Sequence, residues 1–232
     1  MNQPRAVIFD LDGTLVDTAG DLAGAMNHAL STLDLPEVPT AKVRHLVGFG
    51  AKAMLHAGHQ HATGREPEDD LVAAMLEQFL PFYRDNIAVH SKVFPGVEEL
   101  LGALREDGVR FAVCTNKSEA LALPLLEQIG LAHWFDVIIG GDSAGVAKPD
   151  PKPVQLALKG CGIDSSANSN GAYKSIFIGD SDTDIRAAKA LNMPCLIASF
   201  GYGPITERGD VHATFDDYQQ AIALFRAALG LT

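Results

Sequence analysis

Cysteine is scarce in this chain. Cys114, Cys161 and Cys195 are the only three, and no two are spaced as a CxxC pair. So few thiols, odd in number, argue against a disulfide framework and for a reducing compartment. Cys114 and Cys195 lie inside apolar runs and read as core residues. Basic residues are also in short supply: 18 Lys and Arg face 29 Asp and Glu, a formal charge of −11. That balance speaks against nucleic acid as a partner, because a phosphate backbone wants a basic face. A small anionic substrate is not excluded, since it needs only a local positive site. No apolar run approaches the about 18 residues of a membrane span, so no membrane partner is expected. The opening "MNQPRAVIFD" reaches an acidic residue too soon for a signal peptide. A cytoplasmic location is the expectation, and nothing in the sequence bears on the oligomeric state.

What is present is a large apolar fraction. Of 232 residues, 47% are hydrophobic, enough for one large domain or a domain with a smaller one inserted. Four short apolar runs stand out: Ala6–Phe9, Val109–Cys114, Asp136–Gly140 and Ser175–Gly179; a weaker fifth is Pro194–Ser199. They lack polar alternation, as parallel strands covered on both faces do. Helix-like segments alternate with them: "GVEELLGALREDG", "SEALALPLLEQIG" with Ser118 as a candidate cap, and "DTDIRAAKALN". A last helix is expected over about Tyr218 to Leu229. Alternation of this kind argues for an α/β fold with a doubly wound, Rossmann-like parallel sheet.

About ninety residues separate the first two strands, too many for one crossover. Residues 19–92 contain helical patterns, "DLAGAMNHALSTL" and "DDLVAAMLEQFLPFYRDN", and no convincing strand. They read as an inserted all-helical domain, leaving 1–18 and 93–232 as the α/β core. Met75, Phe79 and Phe82 are its expected core residues. The stretch "DSSANSNGAYK", Asp164–Lys174, is small and polar and is expected to form a mobile surface loop.

Asp10 and Asp12 follow the first strand in "AVIFDLDGTLVDT", two carboxylates close enough to repel. Ligands of open α/β sheets bind outside the carboxyl ends of the strands. Thr115, Asn116 and Lys117 follow the second run, Lys148 the loop after the third, and Asp180, Asp182 and Asp184 the fourth. Acids, a hydroxyl, an amide and ammonium groups therefore gather at one edge. A divalent cation would compensate the acids, and oxygen-only ligands favour magnesium over zinc.

Four motifs occur in order: "DLDGT" at Asp10–Thr14, "CTNK" at Cys114–Lys117, "AKPDP" at Ala147–Pro151 and "GDSDTD" at Gly179–Asp184. With them the chain resembles the phosphatases of the haloacid dehalogenase superfamily over nearly its whole length. The helical insert after the first motif matches that superfamily's small helical cap. The resemblance implies Asp10 as nucleophile, forming an aspartyl-phosphate, and Asp12 as acid and then base. It implies magnesium held by Asp10, the main-chain carbonyl of Asp12, and Asp180, with Asp184 behind them. Thr115 and Asn116 would bind phosphate, and Lys148 would neutralise phosphate and nucleophile; Lys117 adds positive charge. Asp12 argues against dehalogenation, because dehalogenase relatives lack that acid.

The insert would choose the leaving group. "LVGFGAKAML", Leu46–Leu55, resembles the glycine-bearing cap loop of phosphoglycolate phosphatases, with Phe49 where those usually have Asn. Gly48, Gly50 and Lys52 are its candidate binding residues. Ala51 stands where sugar-phosphate mutases tend to carry a basic residue. The resemblance thus implies hydrolysis of 2-phosphoglycolate, with a sugar-phosphate phosphatase or a β-phosphoglucomutase-like phosphomutase as runner-up. A non-catalytic regulatory binding protein on the same fold is the reading from another class; intact Asp10, Asp12, Lys148 and Asp180 argue against it. Of His56, His59 and His61, the first two have near-helical spacing and could meet a metal, but no nearby Cys or carboxylate completes a zinc site, and all three are expected on a solvated surface.

Overall fold

The computed structural model describes residues 4–48, 50–163 and 175–231. Phe49 and the Asp164–Lys174 stretch lie outside them. A six-stranded sheet organises the chain, in the order β5-β4-β1-β6-β7-β8. Its strands are β1 (Arg5–Phe9), β4 (Val109–Cys114), β5 (Val137–Ile139), β6 (Ser175–Gly179), β7 (Cys195–Ala198) and β8 (Ala213–Phe215). Every pairing is parallel. Each of the five apolar runs supplies a strand. The sixth strand, β8, was not expected from the sequence.

Successive strand residues point to opposite faces, and both faces are covered. Val7, Phe9, Phe111 and Ile178 pack on one side with α5 (Val97–Glu106) and α9 (Tyr218–Ala228). Ala6, Ile8, Ala112 and Phe177 pack on the other, with α7 (Lys152–Gly160) and α8 (Asp182–Lys189). That is why these runs are largely apolar and lack polar alternation, with Arg110 the exposed exception inside β4. α6 (Glu119–Gln128) completes the set near β5. Ser118 occupies its N-cap position but makes no side-chain cap bond. The Asp142 carboxylate accepts the Glu119 N–H instead, at 2.9 Å.

Between β1 and β4 the chain forms α1 (Ala19–Ser31), α2 (Thr40–Val43), a 3-10 turn at Arg44–Leu46, α3 (Ala51–Thr63) and α4 (Asp69–Asp85). Val72, Met75, Phe79 and Tyr83 recur at helical spacing on α4 and are buried, and α4 packs chiefly on α1. Phe82 is only half-buried, stacked on His28 with ring centroids 4.3 Å apart. A two-strand antiparallel ladder joins the ends of this segment: β2 (Val16–Asp17) pairs with β3 (Lys92–Val93), Val16 with Val93 and Asp17 with Lys92. The buried Asp21 carboxylate ties the same ends together. It accepts the main-chain N–H groups of His90 and Ser91 at 2.9 and 2.8 Å.

Candidate active site

β1 is the strand at which the sheet's order reverses. β4 lies on one side of it and β6, reached much later in the chain, on the other. Asp10 and Asp12 leave its carboxyl end, the place where such sheets bind ligands. Asp10 still donates its main-chain N–H to Ile178, at 2.8 Å. The chain then turns tightly, with Leu15 and Val16 both donating to the Leu11 carbonyl at 3.0 and 3.1 Å. Gly13 makes this turn at φ +80°, and a Cβ there would run into the Asp180 carboxylate and the Tyr202 ring.

The two carboxylates keep different company. The buried Lys148 ammonium lies 2.9 Å from Asp10 Oδ1 and 2.7 Å from Asp184 Oδ1. Asp184 Oδ2 accepts from the main-chain N–H groups of Asp180 and Ser181, both at 3.1 Å, and from Ser181 Oγ at 2.7 Å. Asp184 therefore serves as the frame of the site. Asp10, Asp180 and Asp184 are all buried and can bring one oxygen each within 4.8 Å of one another. Burial pushes the Asp10 carboxyl up to about 7, although the Lys148 ammonium works against it. Burial, then the Asp184 and Asp10 charges, push Asp180 well above the ordinary carboxylate range. Burial also opposes the Lys148 charge, but Asp10 and Asp184 outweigh it and hold its pKa above that of an ordinary lysine. Three buried carboxylates thus share one ammonium, and this excess of negative oxygen fits a divalent cation.

Asp12 faces elsewhere. Its Oδ1 accepts from Lys117 Nζ at 2.8 Å and from the Thr18 hydroxyl at 2.7 Å. Lys117 also donates to the Tyr83 hydroxyl at 2.9 Å, so a helix of the inserted segment reaches the strand-end carboxylate. Burial disfavours the Lys117 charge, yet Asp12 and Tyr83 together raise its pKa. The sequence marked Lys117 only as extra positive charge; Thr18 and Tyr83 it did not mark at all. Asp12 and Tyr83 lie 105 and 34 residues from Lys117 along the chain, distances at which no local pattern exists; Thr18 lies only six residues from Asp12.

A cavity of about 270 Å³ opens in front of the pair. Asp10, Asp12, Thr115 and Lys117 line its core side; Gly48, Gly50, Lys52, Met54, Phe79 and Tyr83 line the other. Thr115 is buried, and its Oγ1 accepts the Lys117 N–H at 3.1 Å. The Asn116 side chain is committed to the protein. It brackets Lys148, donating to its carbonyl at 3.1 Å and accepting its N–H at 2.9 Å, and donates to the Gly48 carbonyl at 3.2 Å. The Asn116 side-chain amide thus anchors the Lys148 loop, and the residue also lines the cavity. Lys52 is exposed at the cavity mouth.

The histidines are not gathered. His59 is buried and bonded to the Arg65 carbonyl at 3.2 Å, while His56 pairs with Glu66 at 2.8 Å. The surface expected for all three holds for His61 and the half-exposed His56, not for His59. The aspartate triad is the metal-competent cluster among the described residues. All three cysteines are buried, and burial pushes the Cys114 thiol up to about 12.

A sequence profile of the haloacid dehalogenase-like hydrolases matches residues 7–198, and the chain belongs to that family. Two curated relatives narrow the comparison. The phosphoglycolate phosphatase of Rhodospirillum rubrum is 39% identical over 220 residues, covering 93% of this chain and 88% of that one. The phosphoglycolate phosphatase of Agrobacterium fabrum is 40% identical over 195 residues, covering 84% and 80%. The crystal structure of a predicted phosphoglycolate phosphatase from Haemophilus somnus superposes with a TM-score of 0.83 at 30% identity, covering 97% of this chain and 99% of that one. No helix among the described residues is long and apolar enough to cross a membrane.

Proposed function

We propose that this phosphoric monoester hydrolase acts on 2-phosphoglycolate, releasing glycolate and phosphate in two steps through a phosphorylated Asp10. The observation that carries the chemistry is the separation of the two strand-end carboxylates. Asp10 sits with Lys148 among acids, whereas Asp12 sits with Lys117 and Thr18 at the cavity. Asp10 attacks phosphorus. Asp12 donates its proton to the departing oxygen, then takes one from the water that opens the acyl phosphate. Lys148 offsets charge on the phosphoryl oxygens, and the Thr115 hydroxyl, with main-chain N–H groups beside it, holds them.

Phosphatases of this family generally use magnesium. Asp10, the Asp12 carbonyl and Asp180 would hold it, and bound there it would supply positive charge against the phosphoryl oxygens. Residues 19–92 act as the cap, with Gly48, Gly50 and Lys52 facing the leaving group and the helices excluding bulk water. The 39–40% identity to phosphoglycolate phosphatases supports the substrate.

Phosphate release by the purified protein from a panel of small phosphomonoesters, with magnesium present, tests this. The expected result is the highest kcat/KM on 2-phosphoglycolate, with Asp10→Asn and Asp12→Asn each below about 1% of it. A preference for sugar phosphates overturns the substrate but not the chemistry. No release from any ester overturns both and favours a binding protein.

A further inference from the structure

We propose that Tyr202 is the positioning residue for Asp12: its hydroxyl holds the first main-chain N–H groups of helix α1 and so fixes the backbone of Thr18, whose side chain holds the carboxylate. The proposal rests on the acid and base role given to Asp12 and extends it to the loop after β7.

Thr18 is the N-cap of α1. A threonine there ordinarily turns its hydroxyl onto the first free N–H groups of the helix. Thr18 makes no such bond. Its hydroxyl donates to Asp12 Oδ1 at 2.7 Å, and the residue is fully buried. The buried main-chain N–H groups of Thr18 itself and of the residue after it also need acceptors, because no water reaches them. Both the Thr18 and the Ala19 N–H donate to the Tyr202 hydroxyl, at 2.7 and 3.1 Å. That hydroxyl donates its own proton to Asp17 Oδ1 at 2.6 Å. One phenol has one donor and two acceptor places, and all three are filled.

Tyr202 is itself held from two sides. Its main-chain N–H donates to Asp180 Oδ2 at 2.6 Å. Its ring lies where only a glycine at position 13 leaves room, and the Arg44 guanidinium covers it at 4.7 Å while pairing with Asp17 at 3.0 Å. One residue thus ties an acid of the metal-competent triad, the entry to the inserted helices, and the threonine on the proton-transfer carboxylate. Lys117 also holds Asp12, but through four rotatable bonds and shared with Tyr83. Thr18 is β-branched and stiff, so it sets the carboxylate's plane as long as the first turn of α1 stays in place.

The test is a double-mutant cycle read in kcat and KM on the best substrate of the panel. Tyr202→Phe keeps the ring and removes only the hydroxyl. It is expected to lower kcat by roughly 10-fold while KM stays within about twofold, the pattern of an interaction that matters in the transition state. Thr18→Val should lose a similar factor, and Thr18→Ser should recover most of it. The double variant Tyr202→Phe, Thr18→Val should lose no more than the larger single loss, because both act on one contact. Wild-type kcat in Tyr202→Phe, or losses that multiply, overturns the proposal. Should Tyr202→Phe not fold, Asp17→Ala, which removes the acceptor that orients the same hydroxyl, replaces it in the cycle with the same expectation. Asp12→Asn run alongside separates the two readings. If it stays active, the role of Asp12 fails; if it is inactive while the cycle is flat, only the positioning role fails.

Discussion

Asp10 is a carboxylate whose surroundings disfavour its charge. Burial and two neighbouring acids raise its pKa, and Lys148 only partly offsets them. Folding therefore favours a neutral group at this position when no metal is bound. Asp10→Asn is expected to abolish turnover and yet to raise Tm in chelator at pH 8, where the native carboxylate is ionised. Thermal scans with and without chelator check this; an unchanged or lowered Tm counts against the charge argument. Lys148→Ala should do the opposite, because it leaves three buried carboxylates with no cation among them. Breaking a buried pair costs roughly 3 kcal/mol or more, and each 1 kcal/mol is about 2–4 °C for a chain of this size. A drop in chelator that added magnesium partly reverses is the expected signature.

At the scale of elements, the junction of β2 with α1 carries the connection between sheet and helical segment. Asp17 stands there, its carboxylate shared by Tyr202 and Arg44. Burial is the largest single influence and raises its pKa, but the Tyr202 and Arg44 hydrogen bonds, the Arg44 charge and the Ala19 N–H together lower it from 3.8. A lowered acid contributes fully above its unfolded pKa and fades as pH falls through the folded one. Asp17→Asn should therefore lower Tm at pH 7, and the two proteins should converge as pH falls below 3.8 and through the lowered folded value. A constant difference across that range would remove the ion pair from the account. The loop before α3 is a second such junction. Gly50 sits at φ +87°, and a Cβ there would meet nothing within 4 Å among the described residues. Backbone conformation, and not crowding, is what demands glycine here. Gly50→Val should thus distort the cavity wall and reduce hydrolysis of 2-phosphoglycolate more than that of a generic aryl phosphate. Equal losses on both would place the effect outside leaving-group recognition.

Taken whole, the molecule is an acidic chain that concentrates its buried negative charge at one edge of one sheet. A ligand that binds only the folded form raises Tm by mass action. Magnesium is expected to raise the Tm of the wild type, and Asp180→Asn to remove most of that rise without loss of the fold. Calorimetry in a magnesium series reads this with no assay of activity. A full magnesium response in Asp180→Asn would relocate the site, and a zinc response centred on His56 and His59 would reopen the histidine cluster.

Some of this was determined by the sequence alone. A strand covered on both faces must be apolar over most of its length, so β1, β4, β5, β6 and β7 were legible as runs. α4 was legible because burial on one face imposes a helical period. The carboxylates, Thr115 and Lys148 were legible as candidates because chemistry at strand ends needs those groups next to those runs. β8 was not legible: it has three residues, of which only Phe215 is buried, too short for a pattern. Nor was the division of labour between the two aspartates. Lys148 reaches Asp10 and Asp184, Lys117 reaches Asp12, and Tyr202 holds the first N–H groups of a helix that begins 183 residues earlier. Such partners are chosen by the order of strands in the sheet and by the packing of the helices upon it. Periodicity records which face of an element is buried; only the tertiary structure decides what the element meets there.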